Sequence, residues 1–511
     1  MVKCLTYNPV VYRFIAVLFF LTLTLNVSFA QKREQIEIVQ ADNLFSGERN
    51  GKKAQRLVGD VIFKHQEALM YCDSAFLYSK SNAIDAFGSI RINQGDTLNL
   101  YGEFLNYDGN TQIANVTGKE VKLISPDFIL TTDRLIYDRV ENVASYFTGG
   151  HIESKNDSNV LVSRVGYYYA NNQLFTFKDS VVLTNPSFRM ESDTLKYFTN
   201  TEMVNFLGPT TILGDSNLIY CENGWYDTKK DQSEYFDNAY LISDGKKLEG
   251  DVLYYDRTLG FGKADGNIQI TDTVENMIIT GEHGRVYELN DSAVVTDRSL
   301  LTQIFDNDSL FMHADTFKVY KTADGKQNLF AYYGVRIYKS DLQGICDSIV
   351  YSISDSTIKL FNDPVLWSEE NQLTADRIDI RTANNKIHSL FLDQNSFIIS
   401  SLDPIRYNQI KGKEMTGYFK NSKLSKIEVK GNGQTTYFAQ DDEDKFIGVN
   451  VAVSSNIDIT IKDKQINTIT FLKRPEATMH PMGELDPETE LRYKGFEWRI
   501  EEKPSRENVI D

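Results

Sequence analysis

The sequence predicts an all-β protein, a long repeat-built β-jellyroll or solenoid of two facing antiparallel sheets. Apolar residues alternate in runs such as 98–107, which is the period of a half-buried strand. The same pattern returns at intervals of 29 to 33 residues. A fixed period of this size is typical of stacked repeats, in which no single unit can bury its apolar face alone. No stretch shows convincing helical periodicity.

Each repeat begins with a strand that changes direction at a small residue. The small position recurs twelve times, at Ala41, Cys72, Gly102, Thr132, Ser163, Ser192, Cys221, Gly250, Gly281, Ala314, Cys346 and Ala375. The next residue is acidic in eleven of the twelve copies, and Arg164 is the exception. The apolar alternation changes phase at the small residue, as it does at a bulge or a sharp bend.

A second strand follows in each repeat, so that we expect two strands per unit, beginning near Ile36. Its marks are a turn-forming pair and an alternating apolar run, at 59–63, 88–92, 179–183, 266–270 and 334–337. Turns such as 94–96 would then lead into the next long strand.

The N-terminal residues 1–30 have the pattern of a secretory signal peptide. Lys3 and Arg13 are their only charged residues, an apolar and Thr run follows, and the small residues Ser28 and Ala30 occupy the two positions that a signal peptidase recognises. We expect cleavage after Ala30 and export to the periplasm, in association with the outer membrane.

Three further segments follow the signal peptide. Residues 31–400 hold the regular repeats. Residues 401–475 hold degenerate terminal repeats, with copies of the small position expected at Gly412 and Gly448. Residues 476–511 form an irregular tail. An aromatic group at 493–499 in this tail favours a last strand that covers the end of the solenoid, with a partner-docking segment as the alternative.

Charge and cysteine usage exclude several classes of function. Without Lys3 and Arg13 the chain carries 52 basic and 71 acidic residues, a net charge of −19. Nucleic-acid binding depends on Lys and Arg at phosphates, so we expect no nucleic-acid partner. Cys72, Cys221 and Cys346 occupy the same repeat position several units apart, at least ~20 Å at strand spacing, whereas a disulfide requires Cα atoms within ~7 Å. We expect them to be buried and reduced.

The row of acidic residues is the only candidate for catalytic chemistry. It could bind Ca²⁺ or supply paired carboxylates, but such sites need several groups that converge at one place. One carboxylate beside each bend more readily accepts local hydrogen bonds from the backbone. The six histidines share no repeat position or metal-ligand spacing. We therefore expect no enzymatic activity, no metal and no cofactor.

The repeat resembles that of the OstA-like family, the periplasmic lipopolysaccharide-transport proteins of LptA type. The clearest matches are residues 132–138 and 250–256, and the resemblance extends over 36–400. It implies an open jellyroll whose apolar interior holds the acyl chains of lipid A. It also implies docking to other jellyroll transport proteins through strand edges. The chain is much longer than the small bridge protein of that family.

This resemblance and the alternation together predict a lipid-lined trough. The residues expected to line it are Phe63, Met70, Leu77, Ile90, Ile92, Leu98, Leu100, Leu105 and Leu135. The predicted function is a non-enzymatic bridge that carries lipopolysaccharide across the periplasm to the outer membrane. Two alternatives stay open: a structural solenoid or adhesin with a solid interior, and a carbohydrate-active β-helix.

Overall fold

The structure is a computed structural model. It describes residues 34–510 except 95–97, 157, 244, 306–307, 323–324, 353, 384–385, 421–422, 442, 444, 463–464 and 486–490. The expected signal peptide at 1–30 lies outside the described residues. Two compact units divide the rest: the first covers residues up to 158 and 165–171, and the second covers 159–164 and the chain from 172 onward.

The first unit consists of antiparallel strands. In the described residues they are β1 (Glu37–Gln40), β2 (Asn43–Arg49), β3 (Lys52–His65), β4 (Ala68–Tyr78), β5 (Ala83–Gln94), β6 (Leu98–Asp108), β7 (Ile113–Ile124), β8 (Phe128–Asp138), β9 (Val143–Tyr146), β10 (Gly150–Ser154) and β12 (Val165–Tyr169). From β3 to β8 each strand pairs with the next one in the chain. β8 then pairs with β9 and β10, and β9 pairs with β12.

The second unit repeats the same arrangement. Its strands up to residue 304 are β11 (Val160–Ser163), β13 (Leu174–Thr184), β14 (Phe188–Phe198), β15 (Met203–Gly214), β16 (Asn217–Asp227), β17 (Gln232–Phe236), β18 (Tyr240–Ser243), β19 (Lys246–Glu249), β20 (Val252–Asp256), β21 (Phe261–Asp272), β22 (Met277–Tyr287) and β23 (Ser292–Ile304).

The remaining strands of the second unit are β24 (Ser309–Lys321), β25 (Gln327–Lys339), β26 (Leu342–Ser352), β27 (Thr357–Phe361), β28 (Val365–Ser368), β29 (Asn371–Thr374), β30 (Arg377–Ala383), β31 (Lys386–Ser401), β32 (Tyr407–Lys420), β33 (Lys423–Gln440), β34 (Phe446–Lys462), β35 (Gln465–Leu472) and β36 (Glu476–Pro481). One short α-helix, α1 (Arg506–Ile510), lies at the C-terminal end of the described chain. No helix in the described part is long and apolar enough to cross a bilayer.

The long strands bend where the small residues lie, as the sequence predicts. In β4 the buried positions run 68, 70, 72 and then change phase to 75 and 77. Both halves of the strand therefore point their apolar side chains inward. The two expected facing sheets are the two halves of bent strands. In the second unit one buried cluster contains residues from both halves, such as Leu301 and Val295 of β23.

The partner strand accommodates each bend with residues in the left-handed region. Gly59 and Asp60 have φ of 83° and 38°, and Gly266 and Asn267 have φ of 73° and 48°. The prediction that such pairs begin the second strand is wrong, because they lie in its middle. β21, for example, starts at Phe261. A Gly-containing pair resembles a turn in sequence, but here it forms a two-residue bulge inside a strand.

At several bends the neighbouring acidic residue binds this bulge. The Asp251 backbone N–H donates to the Gly266 carbonyl at 2.9 Å, and the Asp251 carboxylate accepts from Asn267 Nδ2 at 2.9 Å. Ser89 Oγ donates to Asp73 in the same way, at 3.1 Å. The structural role predicted for the acids is confirmed at these bends, although the donor to the carboxylate is a bulge side chain rather than a backbone N–H.

The C-terminal bends lie at one predicted and one unpredicted position. Gly412 pairs with Ser396 at a register shift, as expected of a small-position residue. The copy predicted at Gly448 is wrong, because the bend of β34 lies at Ser454. The Ser454 hydroxyl donates to the Leu472 carbonyl at 2.8 Å, and Lys473 has a positive φ. The residue that marks this bend is therefore a serine whose hydroxyl binds the adjacent bulge, and not a glycine.

The three cysteines of the repeats are free and buried, which confirms the prediction. Burial raises the pKa of each thiol to about 12, so that none is a thiolate at neutral pH. They serve as small apolar residues at the bends.

Candidate functional site

The interior of the first unit is lined by two continuous rows of apolar side chains. The first row follows cross-strand pairs through Phe63, Met70, Ile92, Leu100, Leu123, Leu130 and Ile152. The half-strands that carry it are named the first layer. Because cross-strand neighbours on one face lie about 5 Å apart, the row forms an unbroken apolar stripe across seven strands.

The second row lies on the other halves of the same strands, named the second layer. It runs through Leu57, Ala75, Ala86, Leu105, Val116 and Leu135. All six side chains are at most 1% exposed. Two adjacent alanines, Ala75 and Ala86, lie between Leu57 and Leu105 in this row, which leaves room for side chains of the first layer.

The structure places all nine predicted lining residues on the inward faces. Their exposed fractions range from 0% for Phe63, Leu105 and Leu135 to 8% for Leu98. Their sequence neighbours Arg91 and Asn99 are half-buried and point outward. The Arg91 guanidinium lies 4.0 Å from the Tyr71 ring centroid on that outer face. Contact with lipid at these nine positions stays a prediction.

A polar network joins the free ends of the two layers, on the side opposite the bends. We call it the seam network. Its members are Glu34, Ile36, His65, Asn82, Tyr107 and Arg139. His65 ends the first-layer half of β3, and Tyr107 lies near the end of the second-layer half of β6. His65 Nδ1 lies 2.7 Å from Tyr107 Oη, so a hydrogen bond crosses the seam between the layers.

The hydrogen-bond partners determine where the protons of this network lie. The Glu34 carbonyl can only accept, so a neutral His65 carries its proton on Nε2, and its Nδ1 accepts from the Tyr107 hydroxyl, whose oxygen accepts in turn from Arg139 Nη1 at 2.7 Å. His65 Nε2 is then the donor to the Glu34 carbonyl at 3.2 Å. This assigns a neutral His65 with its proton on Nε2.

Burial favours the same protonation state. It is the largest influence on the pKa of His65 and lowers that pKa below its usual 6.5; the positive charge of Arg139 lowers it too, against the hydrogen bond to Glu34. Burial also raises the pKa of Tyr107. His65 is 1% exposed and Tyr107 is fully buried, so the network is a polar bridge within an apolar interior.

The N-terminal segment of the described chain belongs to the network as well. Asn82 Nδ2 donates to the Glu34 carbonyl at 3.0 Å, and Asn82 Oδ1 accepts from the Ile36 backbone N–H at 2.9 Å. Ile36 is 7% exposed. Residues 34–36 thus bind groups from both layer ends, which holds the seam closed.

Sequence reasoning missed this network. His65 lies at an inward position of an alternating run, where the pattern predicts an apolar residue. Tyr107 belongs to the recurring Tyr-Asp pair at strand ends. A histidine on an inward parity is the sequence signal, but its partners come from strands up to 42 residues away.

The acidic row does not form a converging site. Each of Asp73, Asp251 and Asp376 contacts a side chain of its own bulge. In the ranges that the structure describes, no three His, Cys, Asp or Glu residues lie together in a way that could hold a metal ion.

Among the residues that the structure describes, the first unit also ends in an apolar strand edge. β1 and β2 pair with β3, and they carry exposed Ile38, Val39, Leu44 and Phe45. Val39, Leu44 and Phe45 are more than half exposed, at 55%, 51% and 54%. Strand edges with apolar side chains favour pairing with another strand.

Comparison with known proteins gives one family match. Residues 33–193 match the family of OstA-like proteins, and this range overlaps the region 36–400 where the repeat resembles that family. No curated protein matches the chain. Among solved structures, the chain is similar to LptH of Pseudomonas aeruginosa, the LptA homologous periplasmic component of the conserved lipopolysaccharide transport device. That likeness has 18% identity and a TM-score of 0.19, and covers 20% of this chain and 78% of LptH. A second likeness, to the WD40 domain of SCAP from fission yeast, has 8% identity and a TM-score of 0.10. It covers 82% of this chain and 96% of that domain.

Proposed function

We propose that the chain is a non-enzymatic carrier of lipopolysaccharide. The proposal starts from the match of residues 33–193 to the family of OstA-like proteins. The first unit of the chain holds the acyl chains between the two apolar rows, and the chain bridges the periplasm to the outer membrane. The observation that carries the proposal is the continuity of the first row over seven strands, from Phe63 to Ile152.

The physical reason is the transfer of acyl chains from water to an apolar surface. Each buried CH₂ group gains about 0.8 kcal/mol, so a long acyl chain is held without any specific polar contact. The acidic exterior repels phosphates, which favours a headgroup that stays outside while the tails lie within. A carrier of this kind binds firmly but has no fixed anchor along its length.

Acyl chains must enter by separating the layers, because the nine lining residues are at most 8% exposed. The bends join the layers on one side, and the seam network joins them on the other. Opening the seam breaks the His65–Tyr107 bond and exposes the rows along their length. Incoming acyl chains then replace the contacts that the two layers make with each other.

Partners in this proposal dock through strand edges. The exposed edge of β1 and β2 is one docking site for another jellyroll transport protein, and the irregular C-terminal region is a second. A photo-crosslinker at Val39 or Phe45 should capture such a protein in the cell envelope. Capture of bulk protein alone would contradict this part of the proposal.

The test of the carrier function is photo-crosslinking in living cells. An apolar photo-crosslinking residue at Leu100 or Ile92 should form adducts with lipopolysaccharide. The same residue at the adjacent outward positions, Asn99 or Arg91, is the matched control and should not. Equal labelling of both faces, or none on either face of a folded chain, would contradict the proposal.

A structural solenoid is the second candidate, and the tight burial of the lining residues favours it. In that case the layers never separate, and the interior only packs against itself. The same experiment distinguishes the two functions, because a permanently closed interior gives no lipid adduct at Leu100 while the chain stays folded.

A further inference from the structure

The C-terminal residues 491–510, which we call the strap, lie across the outer face of the second unit. Apart from α1 and a turn at Ile500–Glu502, the strap has no regular secondary structure, and no part of it pairs with a strand. The expected last strand at 493–499 is therefore absent from the described residues. The strap instead follows a row of outward side chains on neighbouring strands.

This outer row is defined by cross-strand pairs. Its members, from β28 to β33, are Trp367, Gln372, Ile399, Gln409 and Thr436. Outward side chains of a sheet are usually polar and solvated, but Trp367, Gln372 and Ile399 are each 1% exposed. Because the strap covers them, this face is a second buried surface.

Two glutamines of the row bind the main chain of the strap. Gln409 accepts from the Tyr493 N–H at 3.1 Å and donates to the Leu491 carbonyl at 2.8 Å. Gln372 accepts from the Arg499 N–H at 2.7 Å and donates to the Glu497 carbonyl at 2.7 Å. Each amide thus binds residues i and i+2 of an extended chain, as a neighbouring strand would.

Aromatic contacts fill the space between the two glutamines. The Tyr407 ring lies 5.1 Å from the Phe496 ring and 5.5 Å from the Trp498 ring, measured between centroids. The Arg492 guanidinium lies 4.7 Å from the Phe496 centroid. Buried Phe397 and Ile399 form the floor of this cluster with Tyr407.

Charged groups hold the far end of the strap. Arg499 pairs with Asp363 at 2.8 Å and with Glu502 at 2.6 Å. Arg336 Nη1 donates to the Asn508 carbonyl at 3.2 Å, and Val509 is fully buried. The strap therefore contacts the sheet from β33 back to β24.

We propose that the outer row is a binding site for an extended, aromatic-rich peptide, occupied here by the chain's own strap. The strap leaves as a unit, and the strap of a second copy can take its place. The site binds the main chain through Gln372 and Gln409, and it selects the sequence through the contacts of Tyr407 with the rings of Phe496 and Trp498. The occupant is the same segment because its main-chain groups at residues 491, 493, 497 and 499 satisfy both glutamines at once.

Three observations support the release of the strap. Its hydrogen bonds to the sheet are made with side chains, so its release breaks no strand pairing. The fit is also incomplete: a cleft of about 520 Å³ remains where Arg499, Lys503 and Pro504 face Cys346 and Asp347. In addition, the indole N–H of Trp367 is buried without a hydrogen-bond partner on this face.

The test uses the full chain with a protease site in place of residues 486–490. After cleavage, a fluorescent peptide of residues 491–511 should bind, with its anisotropy reversed by unlabelled peptide. The double variant Gln372→Ala, Gln409→Ala should bind it about tenfold more weakly or worse. The control Asn99→Ala, at the matching repeat position in the first unit, should bind it as the parent does. No binding, unchanged binding by the double variant, or equal binding of a scrambled peptide would overturn the proposal.

A second measurement needs no cleavage. In the uncut wild-type chain, the backbone amides of Tyr493 and Arg499 should exchange with D₂O about a hundredfold faster than the amides of β31 and β32 beneath them. Equal exchange rates would show that the strap opens only when the sheet unfolds, and the proposal would then be wrong.

Discussion

The two units have the same bent strands but cover them differently. In the first unit the outer face is solvated, and a polar network inside the seam joins the two layers. In the second unit a strap covers the outer face between β24 and β33. Asn99 of the first unit is half-buried, while Gln372 and Gln409 at the same repeat position are 1% and 2% exposed. The repeats of both units thus share an apolar inward face. They differ in the residues of the outward face, and these residues determine whether another segment binds there.

The largest expected effect concerns the inward row of the first unit. Leu100→Asp places an unpaired carboxylate in an apolar interior and should lower the free energy of unfolding by about 4 kcal/mol. The adjacent outward change Asn99→Asp should cost about 0.5 kcal/mol or less. Urea denaturation of both variants measures this. Similar losses would mean that the outer face of the first unit is also covered.

The second prediction compares the cost of an alanine substitution at two glycines whose backbones have positive φ. A Cβ at Gly88 would lie 2.1 Å from Asp73 Oδ2, whereas a Cβ at Gly334 would meet nothing within 4 Å. Gly88→Ala should cost about 3 kcal/mol, and Gly334→Ala about 1 kcal/mol from backbone strain alone. The double variant Gly88→Ala, Asp73→Ala should recover most of the difference in thermal unfolding. Equal losses of stability at the two glycines would show that the Asp73 side chain does not pack closely against residue 88.

A third prediction compares two outward isoleucines. Ile399 lies beneath the strap, and Ile124 occupies the uncovered outer face of the first unit. Ile399→Asp should detach the strap and cost about 2 kcal/mol, whereas Ile124→Asp should cost about 0.5 kcal/mol. Differential scanning calorimetry gives both values. A larger loss of stability for Ile124→Asp than for Ile399→Asp would contradict the claim that only the outer face of the second unit is covered.

A fourth prediction tests the seam network with two equivalent tyrosines. Tyr107→Phe removes the hydroxyl that binds both His65 and Arg139, and should cost about 1.5 kcal/mol. Tyr137 occupies the same position in the next repeat, and its hydroxyl donates to Asn142, five residues further along the chain, at 2.5 Å. Tyr137→Phe should therefore cost about 0.5 kcal/mol. A larger loss at Tyr137 would show that the seam bond contributes little.

The smallest effect is the pH dependence of the seam. The folded chain lowers the pKa of His65 below 6.5, so the unfolded chain binds more protons as the pH falls through that value. Stability should therefore decrease below about pH 6.5, and more steeply in the wild type than in His65→Gln. Parallel stability curves between pH 7 and pH 5 would contradict a neutral, buried His65.

Much of this fold follows from the sequence, because the strand period and the row of small residues are local signals. They predicted the bends and the inward parity of all nine lining residues. The starts of the second strands could not be predicted, because a Gly-Asp pair has the same sequence in a turn and in a bulge. The bend at Ser454 was missed because it depends on a hydroxyl bonded to a residue 18 positions away.

The strap and the seam network depend on partners that are distant in sequence. Gln372 binds residues 125 and 127 positions ahead, and a glutamine on an outward parity normally indicates a solvated face. A signal was nevertheless present. The continuous apolar runs 365–367 and 397–399 break the alternation, and such runs indicate a strand that is covered on both faces.

The central claim is that the interior of the first unit holds acyl chains. Mass spectrometry of organic extracts from the gently purified full chain tests it most directly. The account predicts a lipid with several acyl chains in stoichiometric amount, released when the chain is unfolded. A fully folded chain that yields no bound lipid, purified from cells that contain lipopolysaccharide, would contradict the account.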